Sequence, residues 1–166
     1  MSTPAPLPAL RRVVTSTDEQ GKAIVWIDEE AKFQDLPGST CKASVAWVTE
    51  SFPSDNQTGV DGASIPPAGI SHPSGSVFRI LDVPPGATFP HHYTHSIDYG
   101  VVLAGEATHT LPDGSSATLK TGDVIVQLGN VHGWSNLTSD WTRLLFVVLP
   151  SKPIEIDGKL LEGLQL

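Results

Sequence analysis

The chain has 166 residues, of which 39% are hydrophobic and 17% are charged. This length suits one domain, and the composition lies far from the low-hydrophobicity, high-charge range of disordered chains. The formal net charge of −8 offers no positive field to a phosphate backbone, so nucleic acid is not an expected partner. The 15 glycines and 14 prolines are spread along the chain, which disfavours helices and favours short strands joined by turns.

The first part of the chain combines a proline-rich start, two strand-like runs and a long irregular segment. Residues 11–16 and 22–27 are rich in β-branched side chains and flank a polar turn, which predicts a hairpin. A third run, residues 43–49, could pair with that hairpin or extend a larger sheet. Residues 51–75 are rich in proline, glycine and serine without periodicity, which predicts a strap across the sheet or a functional lid.

The sequence carries no signal for secretion or for membrane insertion. Residues 1–10 lack the positive start of a signal peptide, and no apolar run approaches the roughly 20 residues that a membrane-spanning helix needs. The single cysteine, Cys41, cannot form an internal disulfide and fits a reducing compartment. We therefore expect a cytoplasmic protein without a membrane partner.

From Ser76 onward, short β-rich runs alternate regularly with glycine- and proline-containing turns. Several short strands at this spacing are typical of a sandwich or a barrel, so the fold class is expected to be all-β. We divide the chain into an N-terminal part, residues 1–75, that packs on the barrel, a barrel core at 76–150, and a C-terminal extension at 151–166. All three belong to a single domain.

Four of the six histidines lie in or beside two short segments, residues 90–100 and 129–136. Side chains alternate across a strand, so each segment presents every second residue to the same face. If the two strands lie side by side in a barrel, His92, Asp98 and His132 converge in the lumen. The other side chains that share these two faces are Thr94, Gly100, Trp134 and Asn136.

These segments resemble the two motifs of the cupin superfamily. The first motif is matched in its glycine, histidine and acidic positions by Gly86, His92, Asp98 and Gly105, with Thr94 where the family has a second histidine. The resemblance implies a double-stranded β-helix, or jelly-roll, barrel with N-terminal strands that extend the sheet. The second motif is matched by Gly122, Gly129, His132 and Asn136.

Residues 96–103 are similar to a subgroup of small single-domain cupins from bacteria and fungi. Members of this subgroup read His-x-Thr-x-Ser-x-Asp-Tyr in the first motif, so Thr94 resembles a subgroup trait rather than a lost histidine. Related fungal proteins are often associated with small-molecule biosynthesis. The resemblance implies the same association for this chain.

The resemblance places His92 and His132 at the family's metal-ligand positions. With Asp98 they form a two-histidine, one-carboxylate set that could hold one divalent ion such as Fe, Mn or Zn. A metal-free site is equally plausible, because aspartate is one methylene shorter than the family's glutamate. His95 would join the site if the strand contains a bulge, which shifts the facing of side chains by one residue.

The remaining candidates have structural as well as functional interpretations. We expect Thr94, Trp134 and Asn136 to contact substrate, and Gly100 to leave room for it. His91 and His109 are expected to be outward or rim residues. The other tryptophans, expected in the core or in a dimer interface, are Trp26, Trp47 and Trp141.

Three functions stay open. The first is an enzyme that uses His92, Asp98 and His132, with His95 nearby, for acid/base chemistry on an apolar, oxygenated, polyketide-like molecule. The reaction would be a decarboxylation, dehydration, isomerisation or cyclisation. The second is a mononuclear non-haem metal dioxygenase, and the third is a non-catalytic small-molecule-binding cupin. The N-terminal strands also resemble those that cupins lend to a neighbour, which predicts a homodimer.

Overall fold

The computed structural model describes residues 6–161, which form fourteen strands and one short 3-10 turn at Gly62–Ser64. No α-helix occurs among these residues, and accordingly none of the described segments is a helix long and apolar enough to cross a membrane. The predicted all-β class is confirmed. The strands are β1 (Arg11–Thr17), β2 (Ala23–Glu30), β3 (Gln34–Asp35), β4 (Lys42–Thr49), β5 (Ser76–Val83), β6 (Thr88–His92), β7 (Ser96–Ala104), β8 (Glu106–Thr110), β9 (Ser116–Lys120), β10 (Val124–Leu128), β11 (His132–Ser135), β12 (Thr142–Pro150), β13 (Glu155–Ile156) and β14 (Lys159–Leu160).

Two antiparallel sheets enclose the core. One has six strands in the order β10-β7-β12-β5-β4-β3, and the other has four in the order β6-β11-β8-β9. The buried core draws on both, with Val102 and Leu144 from the larger sheet and Leu119 and Trp134 from the smaller one. This confirms the expected jelly-roll barrel, and β3 and β4 are the N-terminal strands that extend its larger sheet.

The expected hairpin is present as β1 and β2, which form a separate two-stranded sheet. Arg12 fixes it to the rest of the chain, because its guanidinium is buried and donates two hydrogen bonds of 2.7 and 2.6 Å to the Asp61 carboxylate. Trp26 of the hairpin also packs edge-on against Trp47 of β4, with ring centroids 6.3 Å apart. The hairpin is thus attached to both β4 and the segment that contains Asp61.

A second buried ion pair lies under the N-terminal segment. Arg143 of β12 donates from Nε and Nη2 to the two carboxylate oxygens of Asp82 on β5, at 2.6 and 2.7 Å. Its Nη1 donates to the carbonyl of Pro8, and the guanidinium lies 5.1 Å from the centre of the Phe33 ring. The pair therefore links two neighbouring strands of the larger sheet to the chain start.

Removal of one partner of this buried pair should destabilise the folded protein. We expect Arg143→Met to lower the free energy of unfolding by about 3 to 5 kcal/mol, since Asp82 is left as an unpaired buried charge. The double variant Arg143→Met with Asp82→Leu should recover most of that loss. Urea unfolding measures both.

The exposed pair of Arg11 and Asp28 provides the matched control. The same substitutions there should leave the unfolding midpoint unchanged, because an exposed ion pair is screened by water and salt. If Arg143→Met and the double variant lost the same stability, burial of an unpaired charge would not be the cause.

Candidate active site

A row of aromatic rings lines the barrel lumen. His92 at the end of β6 pairs directly with His132 at the start of β11, and their ring centroids are 4.6 Å apart. The ring of His109 on β8 stacks on His132 at 5.3 Å, and Trp134 lies 5.0 Å from His109. Phe146 of the opposite sheet follows at 5.7 Å from Trp134. Three imidazoles are therefore grouped on the smaller sheet, and the row ends in apolar rings.

The hydrogen bonds of two of these imidazoles define their tautomers. The Nδ1 atom of His132 lies 3.0 Å from the Asn130 carbonyl oxygen, and Nδ1 of His92 lies 3.1 Å from that of Pro90. A carbonyl oxygen can only accept a hydrogen bond, so each Nδ1 carries the hydrogen. The Nε2 atom of each neutral ring then has a free lone pair, which suits it to act as a base or as a ligand.

Burial keeps two of the imidazoles neutral. It lowers the pKa of His132 to about 4, against the opposing effect of the hydrogen bond to Asn130. The pKa of His109 is also lowered, again chiefly by burial and then by the charge that His91 would carry. His132 is consequently unprotonated at neutral pH, with the lone pair of Nε2 available.

A chain of hydrogen bonds holds the one carboxyl group of the lumen. Trp134 Nε1 donates to Gln127 Oε1 at 3.0 Å, and Gln127 Nε2 donates to Asp98 Oδ2 at 2.9 Å. The other oxygen, Oδ1, is buried and has no hydrogen-bond partner. Burial raises the pKa of Asp98. Because Oδ2 already accepts a hydrogen bond, a proton on this carboxyl group would reside on Oδ1.

Comparisons with known proteins agree with this fold. A protein-family model of the cupin domain matches residues 79–148. Phomopsin biosynthesis cluster protein C' of Diaporthe leptostromiformis is 44% identical over 92% of this chain and 84% of its own length. The chain belongs to the cupin family.

Other similar proteins carry different descriptions. The cupin-domain-containing oxidoreductase virC of Hypocrea virens is 32% identical over 92% of this cupin and 83% of its own chain. Among solved structures, the polyketide cyclase RemF from Streptomyces resistomycificus aligns with a TM-score of 0.51 and 19% identity. That alignment covers 80% of this chain and 78% of RemF. At that identity, RemF shows a shared fold alone.

The structure brings some of the predicted site residues of this cupin together and separates others. It brings His92, His132 and Trp134 into one row and connects Asp98 to that row through Gln127. The chain between β6 and β7 is irregular at residues 93–95, so His92 does not continue the buried face of β7. Two predicted residues lie in that break: Thr94 is half-buried and accepts a hydrogen bond from Ser96, and His95 is exposed with its ring against Tyr93.

Two further residues of the predicted substrate site, Gly100 and Asn136, are enclosed by other parts of the protein. A side chain at Gly100 would lie 2.7 Å from both Ile125 and Phe146, so these residues fill the space expected for a ligand. Asn136 is fully buried, and its amide nitrogen donates to the carbonyls of Val83 and Asp140. Its side chain is thus used to connect the chain end of β5 with the turn before β12.

The sequence-based expectation for His109 was wrong, whereas His91 lies at the rim as expected. His109 is buried at 7% exposure, while His91 is half-buried with Nε2 3.2 Å from the Thr110 hydroxyl. The signal for His109 was its position two residues after the core residue Ala107, which puts both on one face of β8. Gln127 was missed altogether, although a lone polar residue in an apolar strand already suggested a partner inside the barrel.

The donor set does not match the three-ligand metal site that His92, Asp98 and His132 could have formed. Among residues 6–161, no three His, Cys, Asp or Glu side chains are grouped closely enough to hold one ion. The two histidines could offer two Nε2 ligands, but the Asp98 carboxylate is hydrogen-bonded to Gln127 instead of joining them. We therefore derive no step through a metal.

The low pKa of His132 makes stability depend on pH. As pH falls from about 6.5 to about 4, the unfolded chain binds a proton at this residue that the folded chain rejects, so the free energy of unfolding should fall. The slope for one proton is about 1.4 kcal/mol per pH unit. Asp98 acts in the opposite sense, because its raised pKa favours folding at low pH and this contribution is lost as pH rises.

The variant His132→Gln should remove the contribution of His132 to the slope of unfolding free energy against pH. Urea unfolding at a series of pH values measures this slope. The matched control is His72→Gln, which lies at the surface and contacts only the backbone of Ser74. An unchanged slope in His132→Gln would show that another group causes the acid destabilisation.

Proposed function

We propose that this cupin is an enzyme of specialised metabolism that performs acid/base chemistry in its barrel lumen. The substrate is an apolar, oxygenated, polyketide-like molecule, and the reaction is a decarboxylation, dehydration, isomerisation or cyclisation. The observation that carries the proposal is that one lumen holds an imidazole with Nε2 free, at His132, and a carboxyl group with Oδ1 free, at Asp98. Burial also shifts the pKa values of these two groups in opposite directions. Two titratable groups whose pKa values are shifted in opposite directions by one lumen can divide the roles of base and acid. The relatives from biosynthesis clusters support a role in specialised metabolism.

The roles follow from the free atoms of each group. Nε2 of His132 would accept a proton from a carbon next to a substrate carbonyl, which leaves an enolate. Asp98, protonated on Oδ1, would donate to the oxygen that becomes an enol or leaves as water. Gln127 orients the carboxyl group through Oδ2 and does not exchange protons itself.

His92 would connect the site with solvent. It is half-buried, whereas His132 has only 3% exposure, and the two rings lie 4.6 Å apart. A proton taken up at His132 could therefore be passed to the neighbouring imidazole of His92, which is the less buried of the two.

A second candidate is a mononuclear non-haem metal oxygenase. The observation that favours it is the description of the relative virC as an oxidoreductase. The free Nε2 atoms of His92 and His132 suit a metal, but the described residues do not complete a set of three protein ligands. Iron near one atom per chain, oxygen uptake and loss of turnover on chelation would favour this candidate over the first.

Deuterium exchange tests the acid/base proposal directly at the carbon that loses its proton. In deuterated water, we expect the wild-type protein to accelerate exchange at the acidic carbon of aryl 1,3-diketones, followed by NMR. His132→Gln and Asp98→Asn should each slow this exchange about 100-fold or more, since they remove the base and the acid.

His72→Gln and Asp113→Asn are the matched controls, because both lie in exposed turns away from the lumen. They should exchange at the wild-type rate. If the wild-type protein bound the diketones without accelerating exchange, or if both lumen variants kept full activity, the acid/base proposal would fail and a binding function would replace it.

We further propose that this cupin acts in the cytoplasm as a homodimer. Its one cysteine, Cys41, is a buried free thiol, as expected in a reducing compartment. The hairpin exposes Val25 at 62%, and the outer face of the larger sheet exposes Val124 at 70% and Leu128 at 65%. Apolar patches of this kind mark interaction surfaces, and two copies could cover each other's patches around a two-fold axis.

Sedimentation equilibrium tests the dimer. The intact chain should sediment with twice the chain mass, and deletion of residues 1–30 should give monomer or aggregate, because the hairpin is lost. The point variant Val126→Lys places a charge on the outer face of β10 and should give monomer with an unchanged circular dichroism spectrum. A monomeric wild-type protein would contradict the proposal.

A further inference from the structure

A second cavity lies outside the ring-lined site, between the segment at residues 61–70 and the β3–β4 edge of the larger sheet. Its volume is about 720 Å³, within the range of roughly 300 to 1,000 Å³ that is usual for small-molecule sites. The walls are mainly apolar and include Leu36, Val45, Ile65 and Ile70. One charged side chain of the barrel interior, Arg79 on β5, also contributes to its lining.

Arg79 differs from the other three arginines. Arg11 and Arg143 each donate from Nε and Nη2 to both oxygens of one carboxylate, and Arg12 donates in the same bidentate way from Nη1 and Nη2. None of the ion pairs found within residues 6–161 includes Arg79. Its Nη2 donates to the carbonyl of Gly69 at 3.0 Å, and its Nε is buried without an acceptor.

The strand register places Arg79 on the lumen face. Directly paired residues of neighbouring strands point to the same side of a sheet, and Arg79 pairs with Phe146, which in turn pairs with Gly100. Phe146 packs against Trp134 in the ring row. Arg79 is therefore two strands, about 10 Å, from the lumen strand that carries Asp98.

Arg79 is half-buried, and its guanidinium lacks the carboxylate partner that would offset the cost of that partial burial. Burial lowers the pKa of Arg79, and the charge of Asp98 offsets this only in part. An arginine that served only stability would have a carboxylate beside it, as Arg12 and Arg143 do, or would be replaced by an apolar residue. A guanidinium on the wall of a cavity, with no carboxylate at ion-pair distance, indicates a site that an external anion completes.

We propose that this cavity binds an apolar carboxylic acid, whose carboxylate is held by Nη1 and Nη2 of Arg79. These are the two atoms with which Arg12 holds Asp61, and Nη2 has a second hydrogen besides the one donated to Gly69. A monoanion fits better than a phosphate, because the carboxylates of Glu29, Asp35 and Asp61 also line the cavity and would repel a second negative charge. The identification of this acid with the substrate rests on the proposed function, whereas its binding at Arg79 does not.

Isothermal titration calorimetry with octanoate and 1-naphthoate tests the site, with octanamide and 1-naphthamide as neutral counterparts. For the wild-type protein, we expect each acid to bind at least tenfold more tightly than its amide, as charge-assisted hydrogen bonds require. Arg79→Met keeps the length and apolar character of the side chain and should remove this preference without weakening the binding of the amides. Arg79→Lys should keep part of it.

Two controls keep the result specific to Arg79. Lys32→Met removes an exposed cation that also lines the cavity and should leave the preference for acids unchanged. In the absence of ligand, Arg79→Met should melt no lower than the wild-type protein, since it removes a half-buried charge that forms no ion pair.

Equal binding of acids and amides by the wild-type protein would overturn the inference, as would an undiminished preference in Arg79→Met. A melting temperature lowered by more than about 4 °C in ligand-free Arg79→Met would also overturn it, because Arg79 would then serve the fold. Failure of the acid/base proposal is seen separately, in the deuterium exchange of the His132 and Asp98 variants, which keep Arg79.

Discussion

The hydrogen-bond chain from Trp134 through Gln127 to Asp98 is the interaction on which the lumen depends. It crosses from the smaller sheet to the larger one and carries a carboxyl group into a core that is otherwise apolar. An unsatisfied carboxylate there would be costly, so Gln127 must occupy one of its oxygens. The chain leaves the other oxygen, Oδ1, without a hydrogen-bond partner.

The same constraint explains why the ring row has a polar half and an apolar half. Trp134 directs its indole nitrogen to Gln127 and its ring faces to His109 and Phe146. Phe146 then fills the space above Gly100. The three imidazoles lie on the smaller sheet, whereas Asp98 and Gln127 bring polar groups into the lumen from the larger sheet, beside the hydrophobic core.

Much of this could be predicted from the sequence, because it follows from local rules. The alternation along β7 correctly placed Asp98 inward, and the glycine-framed turns located the two histidine strands. The break at residues 93–95 could not be predicted, since nothing in the sequence marks where the alternation restarts. Gln127 and His109 depend on partners from distant strands, which a single sequence does not pair.

The fold alone does not identify the reaction. The side chains of the lumen restrict which classes of reaction are possible. Proteins with this barrel are described as cyclases and as oxidoreductases, so the barrel alone does not decide between these classes. What separates the possibilities is whether Asp98 joins the two histidines or is held apart from them by Gln127. In this structure the hydrogen bond from Gln127 holds Asp98 apart from them.

The buried pair of Arg12 and Asp61 has a consequence that reaches beyond the hairpin it anchors. Arg12 belongs to β1, whereas Asp61 begins the segment that walls the cavity beside Arg79, so one bidentate contact joins the outermost element to a wall of that cavity. Anything that fixes the position of the hairpin also fixes that wall. By thermodynamic reciprocity, an occupant of the cavity that favours one wall position favours the matching hairpin position to the same extent. If the hairpin also forms the proposed dimer interface, ligand binding would change the dimerisation constant by the same factor by which dimerisation changes ligand affinity.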